Sequence, residues 1–267
     1  MRSVGSPLDG FGSPFGTRRG FSPASLFAGG TEGAWYDPSD LTTLFQDAAG
    51  TTPVTASGQP VGLMLDKSGN GNHAVQATSA KRPTYTAGSG LHWLAFDGVD
   101  DAIVTGDVDF TGTDKVSVFA GLQANVLTNA ISMVAIHNST GFNAFSLRAG
   151  SGANGTIGFS ASSNTEISNA TESGLSVPLL AVTSGTSDLA SPVTTLRRNG
   201  VVRTTNVGPV GGGNFAASAL TIGSDSGMLR RFFYGNLYGL IIPGKLASPA
   251  EIASTEAYLA AKTGVTL

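Results

Sequence analysis

Between the runs 194–198 (Thr-Thr-Leu-Arg-Arg) and 201–204 (Val-Val-Arg-Thr) stands a single Asn199-Gly200 pair. Asn and Gly readily take the two successive positive φ angles of a type I′ turn, whose twist matches that of two paired strands. The segment is therefore predicted as a β-hairpin, and it sets the pattern for the rest of the chain. Short runs rich in β-branched or aromatic side chains recur at 102–105, 116–123, 131–137, 144–148, 156–161 and 179–183, each bounded by Gly, Asn, Asp or Ser. Others follow at 219–223, 232–234 and 237–242, the last ending at Pro243-Gly244. Short strands between turn signals predict an all-β sandwich or barrel.

Composition agrees with that class and excludes others. The 37 glycines among 267 residues supply many sharp reversals, and 12% charged residues is too few for a protein of long surface helices. With 40% hydrophobic residues the chain can bury about three-quarters of its unfolded surface as one large domain. A net charge of −3, with Lys and Arg concentrated no further than Arg197-Arg198 and Arg230-Arg231, argues against a nucleic-acid partner. The absence of cysteine rules out disulfides, thiolate metal sites and a cysteine nucleophile, and leaves the redox compartment open. No run of about 18 apolar residues occurs and no signal-peptide core follows Met1-Arg2-Ser3-Val4, so a soluble protein made in a cytoplasm, without membrane insertion, is expected. Asn138, Asn154 and Asn169 open Asn-x-Thr matches that would matter only in a secretory pathway.

Both ends differ from the middle. Residues 1–30 hold seven glycines, three prolines and a repeated Ser-Pro step, with Leu8, Phe11, Phe15, Phe21 and Phe27 as apolar anchors. A flexible tail has no need of such anchors, so 1–30 reads as a docking arm that orders on a larger assembly, with a disordered tail as the alternative. Residues 31–267 then form the globular domain. At the other end, Ser248 as N-cap, Pro249 in the first helical position, Glu251 completing a capping box and Gly264 as terminator predict a helix over 249–263. Its Ile252, Tyr258 and Leu259 form an apolar stripe, and Lys262 suits the negative end of the helix dipole. A shorter helical turn is predicted after Asp37-Pro38.

The densest polar region spans 66–101: Asp66-Lys67-Ser68-Gly69-Asn70-Gly71-Asn72-His73-Ala74, then Arg82-Pro83-Thr84-Tyr85, then Leu94-Ala95-Phe96-Asp97-Gly98-Val99-Asp100-Asp101. Taken in order with the 196–201 hairpin, Leu220-Thr221-Ile222-Gly223, Tyr234-Gly235-Asn236-Leu237-Tyr238-Gly239-Leu240-Ile241 and Leu246-Ala247-Ser248-Pro249-Ala250-Glu251-Ile252, it resembles a laminin G-like module of the concanavalin A-like lectin/glucanase superfamily. The resemblance covers most of 31–264 and implies an antiparallel jelly-roll β-sandwich of two large sheets, one concave. More narrowly, 35–47 leading into Thr51-Thr52-Pro53-Val54 and the Asp66 turn is similar to chains of tailed bacteriophages and prophages.

Glucanases of that superfamily carry a Glu-x-Asp-x-x-Glu strand, whose alternate carboxylates supply the pair about 5 Å apart that a retaining hydrolase needs. None of Glu32, Glu166, Glu172, Glu251 and Glu256 has Asp two positions later, so no enzyme of that kind is expected. His73, His92 and His137 have no nucleophile motif beside them and read as turn or core residues. The 150–155 match to GxGxxG precedes a strand-like run instead of a helix and reads as a hairpin loop. Asp97, Asp100 and Asp101 could seed a calcium site with help from Asp107 or Asp109, since calcium takes six to eight oxygens. An Asp-Gly turn pairing carboxylates with backbone N–H groups explains the same letters, and no other cofactor is implied. For a sugar, Trp93, Arg230, Arg231 and Tyr234 are the candidate contacts: Trp93 faces away from Leu94 and Phe96, and the arginines could face an acidic glycan.

The expectation is a bacteriophage virion structural protein whose arm docks on other virion proteins and whose module, as a homo-oligomer, meets host surface glycans. A decoration or cement protein contacting only virion subunits, or a polysaccharide-active enzyme without the usual motif, are the alternatives.

Overall fold

The computed structural model describes residues 20–127, 133–137, 142–150, 155–191, 193–208, 211–225, 228 and 230–267. In chain order the strands are β1 Gly33–Tyr36, β2 Leu44–Phe45, β3 Leu63–Met64, β4 Ala74–Val75, β5 Thr84–Gly88, β6 Leu91–Asp97, β7 Ile103–Asp109, β8 Lys115–Ala124 and β9 Met133–His137. They continue with β10 Ala144–Ala149, β11 Ile157–Ser162, β12 Ile167–Glu172, β13 Leu179–Asp188, β14 Val193–Arg198, β15 Val201–Val207, β16 Ala217–Ile222 and β17 Tyr234–Pro243, before helix α1 Pro249–Thr263. One sheet runs β15-β14-β13-β8-β17-β6-β5, with β1 pairing the second half of β17 in line with β6; the other runs β12-β11-β10-β9-β16-β7-β4-β3-β2. Their pairings are antiparallel, and the architecture is a two-sheet jelly-roll sandwich with one C-terminal helix, as expected.

Local chemistry explains the elements that were foreseen. Asn199 and Gly200 have φ of 50° and 78°, the two positive angles of a type I′ turn, and β14 pairs β15 across them. Ser248 caps α1, Glu251 closes the capping box, and Gly264 terminates the helix in the left-handed region. Two predictions need correction. The turn after Asp37 is not helical; a short 3-10 helix, Leu41–Thr43, starts one step later under an Asp40 cap, while the Asp37 carboxylate bonds the Ser39 N–H and hydroxyl. Phe232 and Phe233 precede a strand that begins at Tyr234, because hydrogen-bonded pairing with β6 starts there.

Between the sheets lies a core that includes Leu94, Phe96, Phe110, Phe145, Phe159, Phe215 and Phe233. The sheets approach so closely at Gly185 on β13 that a Cβ there would lie 2.1 Å from Cγ of Phe159 on β11. One open edge is closed by polar contacts between the sheets. Thr204 donates to the Thr171 carbonyl (2.7 Å), Asn206 to the Asn169 carbonyl (3.1 Å), and Glu172 accepts from Nε and Nη2 of Arg198.

A second cluster covers the outer face of the eight-stranded sheet: Leu259, Ala260 and Ala247 from the helix region, Phe119, Val182, Ile241 and Trp35 from the strands, and Leu26 and Phe27 from a 3-10 helix at Pro23–Phe27. Phe21, Ile252 and Tyr258 pack against it. Phe27 and Phe21, expected as anchors for an outside partner, are thus occupied by the chain's own sandwich. They share one apolar surface with the stripe of α1. Leu8, Phe11 and Phe15 lie outside the described residues.

Polar contacts clamp α1 in place. Asp37 takes Tyr258 Oη (2.8 Å) and Lys262 Nζ (3.0 Å), and Lys67 bridges to Asp37 and Asp40. Lys262, expected to act through the helix dipole, therefore acts through a carboxylate. On the sheet side of α1, Glu256 is buried with Arg197 (2.8 Å) and Ser184 (2.6 Å).

Candidate functional site

The Asp66 turn is a structural device. Asp66 accepts from the N–H groups of Trp35, Ser68 and Asn72 and from Ser68 Oγ, while Asn70 and Asn72 donate to the Gly33 carbonyl. His73 Nδ1 accepts the Asp66 N–H at 3.0 Å. These polar letters stitch one turn to β1. His92 pairs with Tyr85 Oη (2.6 Å) and His137 sits in the core, so each histidine has a turn or packing role.

One rim of the sandwich gathers several of the candidate residues. Tyr234 pairs with Asp97 at the end of β6, and the Gly98 backbone lies against the Tyr234 side chain. Here Asp97 Oδ1 accepts from the N–H groups of Val99, Asp100 and Asp101, and Asp101 Oδ2 accepts from the Asp97 N–H. This is the Asp-turn geometry that competed with the calcium reading. One oxygen from each of Asp97, Asp100 and Asp101 nevertheless lies within 4.8 Å of the others. Asp101 is only 7% exposed, and that burial, with the charges of Asp97 and Asp100 outweighing the Asp97 N–H bond, pushes it up to about 6. Asp107 and Asp109, expected to assist, lie toward the far end of β7, where Asp109 bonds the Thr111 N–H.

Tyr234 is 46% exposed on the same rim, and the neighbouring loop carries Arg230 and Arg231. Arg230 pairs with the buried Asp225 (3.0 Å) while leaving most of its own side chain in solvent. Arg231 is half-buried at φ 59°. Trp93 belongs elsewhere. It lies four residues from Asp97 on β6, half-buried against Tyr238 (ring centroids 5.5 Å) and over Gly88. It is part of a packed aromatic pair instead of an open stacking platform beside Tyr234.

Sequence reasoning missed the outer face of the nine-stranded sheet. Alternation along β10, β11 and β12 turns Phe145, Leu147, Phe159 and Ala170 into the core and Arg148, Ser160, Asn169 and Thr171 outward. Arg148 lies across Gly158, where a Cβ would meet its Nη2 at 3.3 Å, and donates to Asn169 Oδ1 at 2.9 Å. Ser160 Oγ donates to the same oxygen. Arg148 Nε is enclosed without an acceptor. The missed signal was the polar member of each alternating pair in 157–162 and 167–172.

Three of the five glutamates are committed to cations. Glu256 and Glu172 hold arginines, and Glu251 holds Lys245 and caps the helix. The 150–155 segment joins β10 to its antiparallel partner β11, so its glycines belong to a hairpin connection, with 151–154 outside the described residues. Among the described residues, no helix is long and apolar enough to cross a membrane.

No protein-family model matches the sequence, and no curated protein matches it. Solved structures match its fold. An arabinofuranosidase complexed with arabinofuranosyl-alpha-1,2-xylobiose is 13% identical, with TM-score 0.61 over 91% of this chain and 65% of that one. Domain 4 of AbnA, a GH43 extracellular arabinanase from Geobacillus stearothermophilus, in complex with arabinotriose, is also 13% identical, with TM-score 0.54 over 85% of this chain and 98% of that domain. The botulinum neurotoxin serotype G binding domain is 11% identical, with TM-score 0.54 over 73% of this chain, which spans about half (48%) of that domain's length. What these proteins share with the chain is the jelly-roll sandwich, the architecture that the resemblance to the concanavalin A-like superfamily implied.

Proposed function

We propose that the chain is a non-catalytic carbohydrate-binding sandwich displayed on a bacteriophage particle, tied to other virion proteins by its N-terminal residues and presented to host glycans. The observation that supports glycan binding best is the match to the arabinotriose-bound domain: 98% of that domain is covered, so the likeness is to a whole sugar-binding unit. Fold likeness alone does not carry function. It is joined here by an outward polar face with planar side chains, Arg148 and Asn169, of the kind that meet sugar hydroxyls. The non-catalytic reading rests on the commitment of Glu172, Glu251 and Glu256 to cations. The Asp97, Asp100 and Asp101 carboxylates belong to one turn, whereas a hydrolase needs two that flank a bond. The virion placement rests on the Ser-Pro-rich N-terminus and the similarity of 35–66 to phage chains.

A glycan array probed with the purified chain, with and without chelator, tests the binding reading; a blank array in both conditions overturns it. For the virion reading, deleting residues 1–19 spares Leu26 and Phe27 and so separates docking from folding. Undiminished incorporation of that truncated chain into particles would sink the docking arm. A decoration or cement protein, the second reading, is favoured by the exposed Val201, Val202 and Val207 on β15, apolar surface suited to a neighbouring subunit. It gains if the array is blank and charged substitutions at those valines release the chain from particles.

A further inference from the structure

Most arginines of the described sandwich are electrically satisfied. Arg197 pairs with Glu256, Arg198 and Arg203 with Glu172, and Arg230 with Asp225, while Arg82 donates to three backbone carbonyls. Arg148 and Arg231 stand apart. No carboxylate pairs with either among the described residues. Among the described residues Arg148 makes one hydrogen bond, to the neutral carboxamide of Asn169, and its Nε is enclosed without an acceptor. A half-buried guanidinium with an enclosed, unpaired donor costs stability unless something else supplies an acceptor. Arg231, half-buried, is held in the left-handed region at φ 59°, a conformation uncommon for a long side chain and often tied to a local task. Arg148 pairs across the sheet with Met133, and the carbonyl of the next residue, Val134, takes the Gly223 N–H at 3.2 Å, so the chain that leads to Arg231 leaves β16 beside the strand that flanks Arg148.

We propose that this face binds a saccharide bearing a carboxylate, with Arg148 and Arg231 together holding the carboxylate and Asn169 and Thr171 contacting the adjoining hydroxyls. The proposal rests on the carbohydrate-binding reading above and names its ligand class. A guanidinium presents a planar fork that matches a carboxylate, and one anion shared by two of them offsets half of the positive charge gathered there. Gly158 keeps the floor beneath Arg148 bare, since a Cβ there would meet Nη2 at 3.3 Å. Asn169 uses its oxygen for Arg148 and Ser160, which leaves its amide N–H groups to donate outward. The two arginines also oppose each other: burial first, then the charge of Arg231, pull Arg148 below its ordinary pKa, a repulsion that an anion between them would relieve. A neutral sugar would satisfy the hydroxyl contacts and leave both charges uncompensated.

The test is an array of hexuronic and sialic acid oligosaccharides beside their methyl-esterified counterparts, neutral arabino-oligosaccharides and sulfated oligosaccharides, with calorimetry on the hits. Binding to the free acids should fall at least tenfold on esterification, and at least tenfold in R148Q and in R231N. Asn tolerates the left-handed backbone, so R231N should fold even if R148Q does not, and melting curves of both variants separate lost binding from lost structure. Equal affinity for acid and ester, or unchanged affinity in both variants, overturns the inference. Binding confined to neutral or sulfated sugars overturns it too, yet leaves the carbohydrate-binding reading standing. A blank array removes both.

Discussion

Two buried groups should give this protein an acid response that neither shows alone. His137 is 0% exposed, stacked on Phe145 (centroids 4.9 Å, 8° between planes) and edge-on to Phe110 (4.9 Å, 89°). Neither ring nitrogen has a hydrogen-bond partner of good geometry, and burial, only partly offset by the Val108 backbone, pushes its pKa down to about 4. Asp101 moves the other way, up to about 6. For His137 the unfolded chain binds the proton more tightly, so its contribution is fully present above about pH 6.5 and is lost as pH falls toward 4. For Asp101 the folded chain binds the proton more tightly, so acidification through about pH 6 stabilises.

From pH 8 to 4.5 the histidine shift corresponds to a loss of about 2.5 kcal/mol. The aspartate shift corresponds to a gain of up to about 2 kcal/mol, discounted to about 1 because solvent partly reaches that rim. The wild-type chain should thus lose about 1.5 kcal/mol over this range, H137F should gain about 1, and D101N should lose about 2.5. Overpacking by the larger phenylalanine ring would add an offset of roughly 1–3 kcal/mol that does not depend on pH. The slope therefore remains diagnostic. The assay is urea unfolding followed by fluorescence of Trp35 and Trp93 in chelator-containing buffers. An H137F profile parallel to the wild type would refute the reasoning. Repeating it with calcium in place of chelator adds a second reading: a cation held by Asp97, Asp100 and Asp101 would keep Asp101 ionised and abolish the gain in H137F.

Three further outcomes follow from the packing. Burial alone would raise Asp37, but its bonds from Ser39, Tyr258 and Lys262 and the Lys262 charge bring it down to about 2. D37N should cost about 2 kcal/mol at pH 7, with the difference present above about pH 4 and vanishing as pH falls through about 2, measured by denaturation at both ends. Deleting residues 1–19 should leave the melting temperature unchanged, whereas deleting 1–30 strips Leu26 and Phe27 from the second cluster and should cost about 4 kcal/mol; equal melting curves would show that cluster to be dispensable. G185A should destabilise by more than about 3 kcal/mol, because the new Cβ meets the Phe159 ring and the two sheets must part to admit it. A loss below about 1 kcal/mol would mean the sheets separate more easily than this packing allows.

What could be read from the sequence was what local chemistry decides. The 199–200 turn and the Ser248-to-Gly264 helix are specified within a few residues, by backbone angles and capping groups, and both appear where expected. The long strands β8, β13 and β17 carry enough apolar and β-branched residues to announce themselves. Strand β12 does not. Ile-Ser-Asn-Ala-Thr-Glu buries only small residues, Ser168 and Ala170, and is held by its register with β11 and by side chains from β15, none of which is local.

The same distinction separates the two candidate sites. Asp97, Asp100 and Asp101 fall within five residues, which marks them as a candidate cluster, yet such closeness in sequence is also what makes a turn, and the turn accounts for most of their bonds. Arg148 and Asn169 come from separate strands, and only their shared pairing with β11 sets them side by side, while Arg231 follows Gly223, which bonds Val134 beside the Met133 partner of Arg148. The N-terminal segment shows the converse error: Phe21 and Phe27 read by composition as anchors for a partner, and only an apolar surface within reach, here the face of α1 and β8, decides that Phe27 is core and that Phe21 packs against it. A charged pair without a local partner is therefore the better guide to function in such a sandwich, because every local explanation for it has already failed.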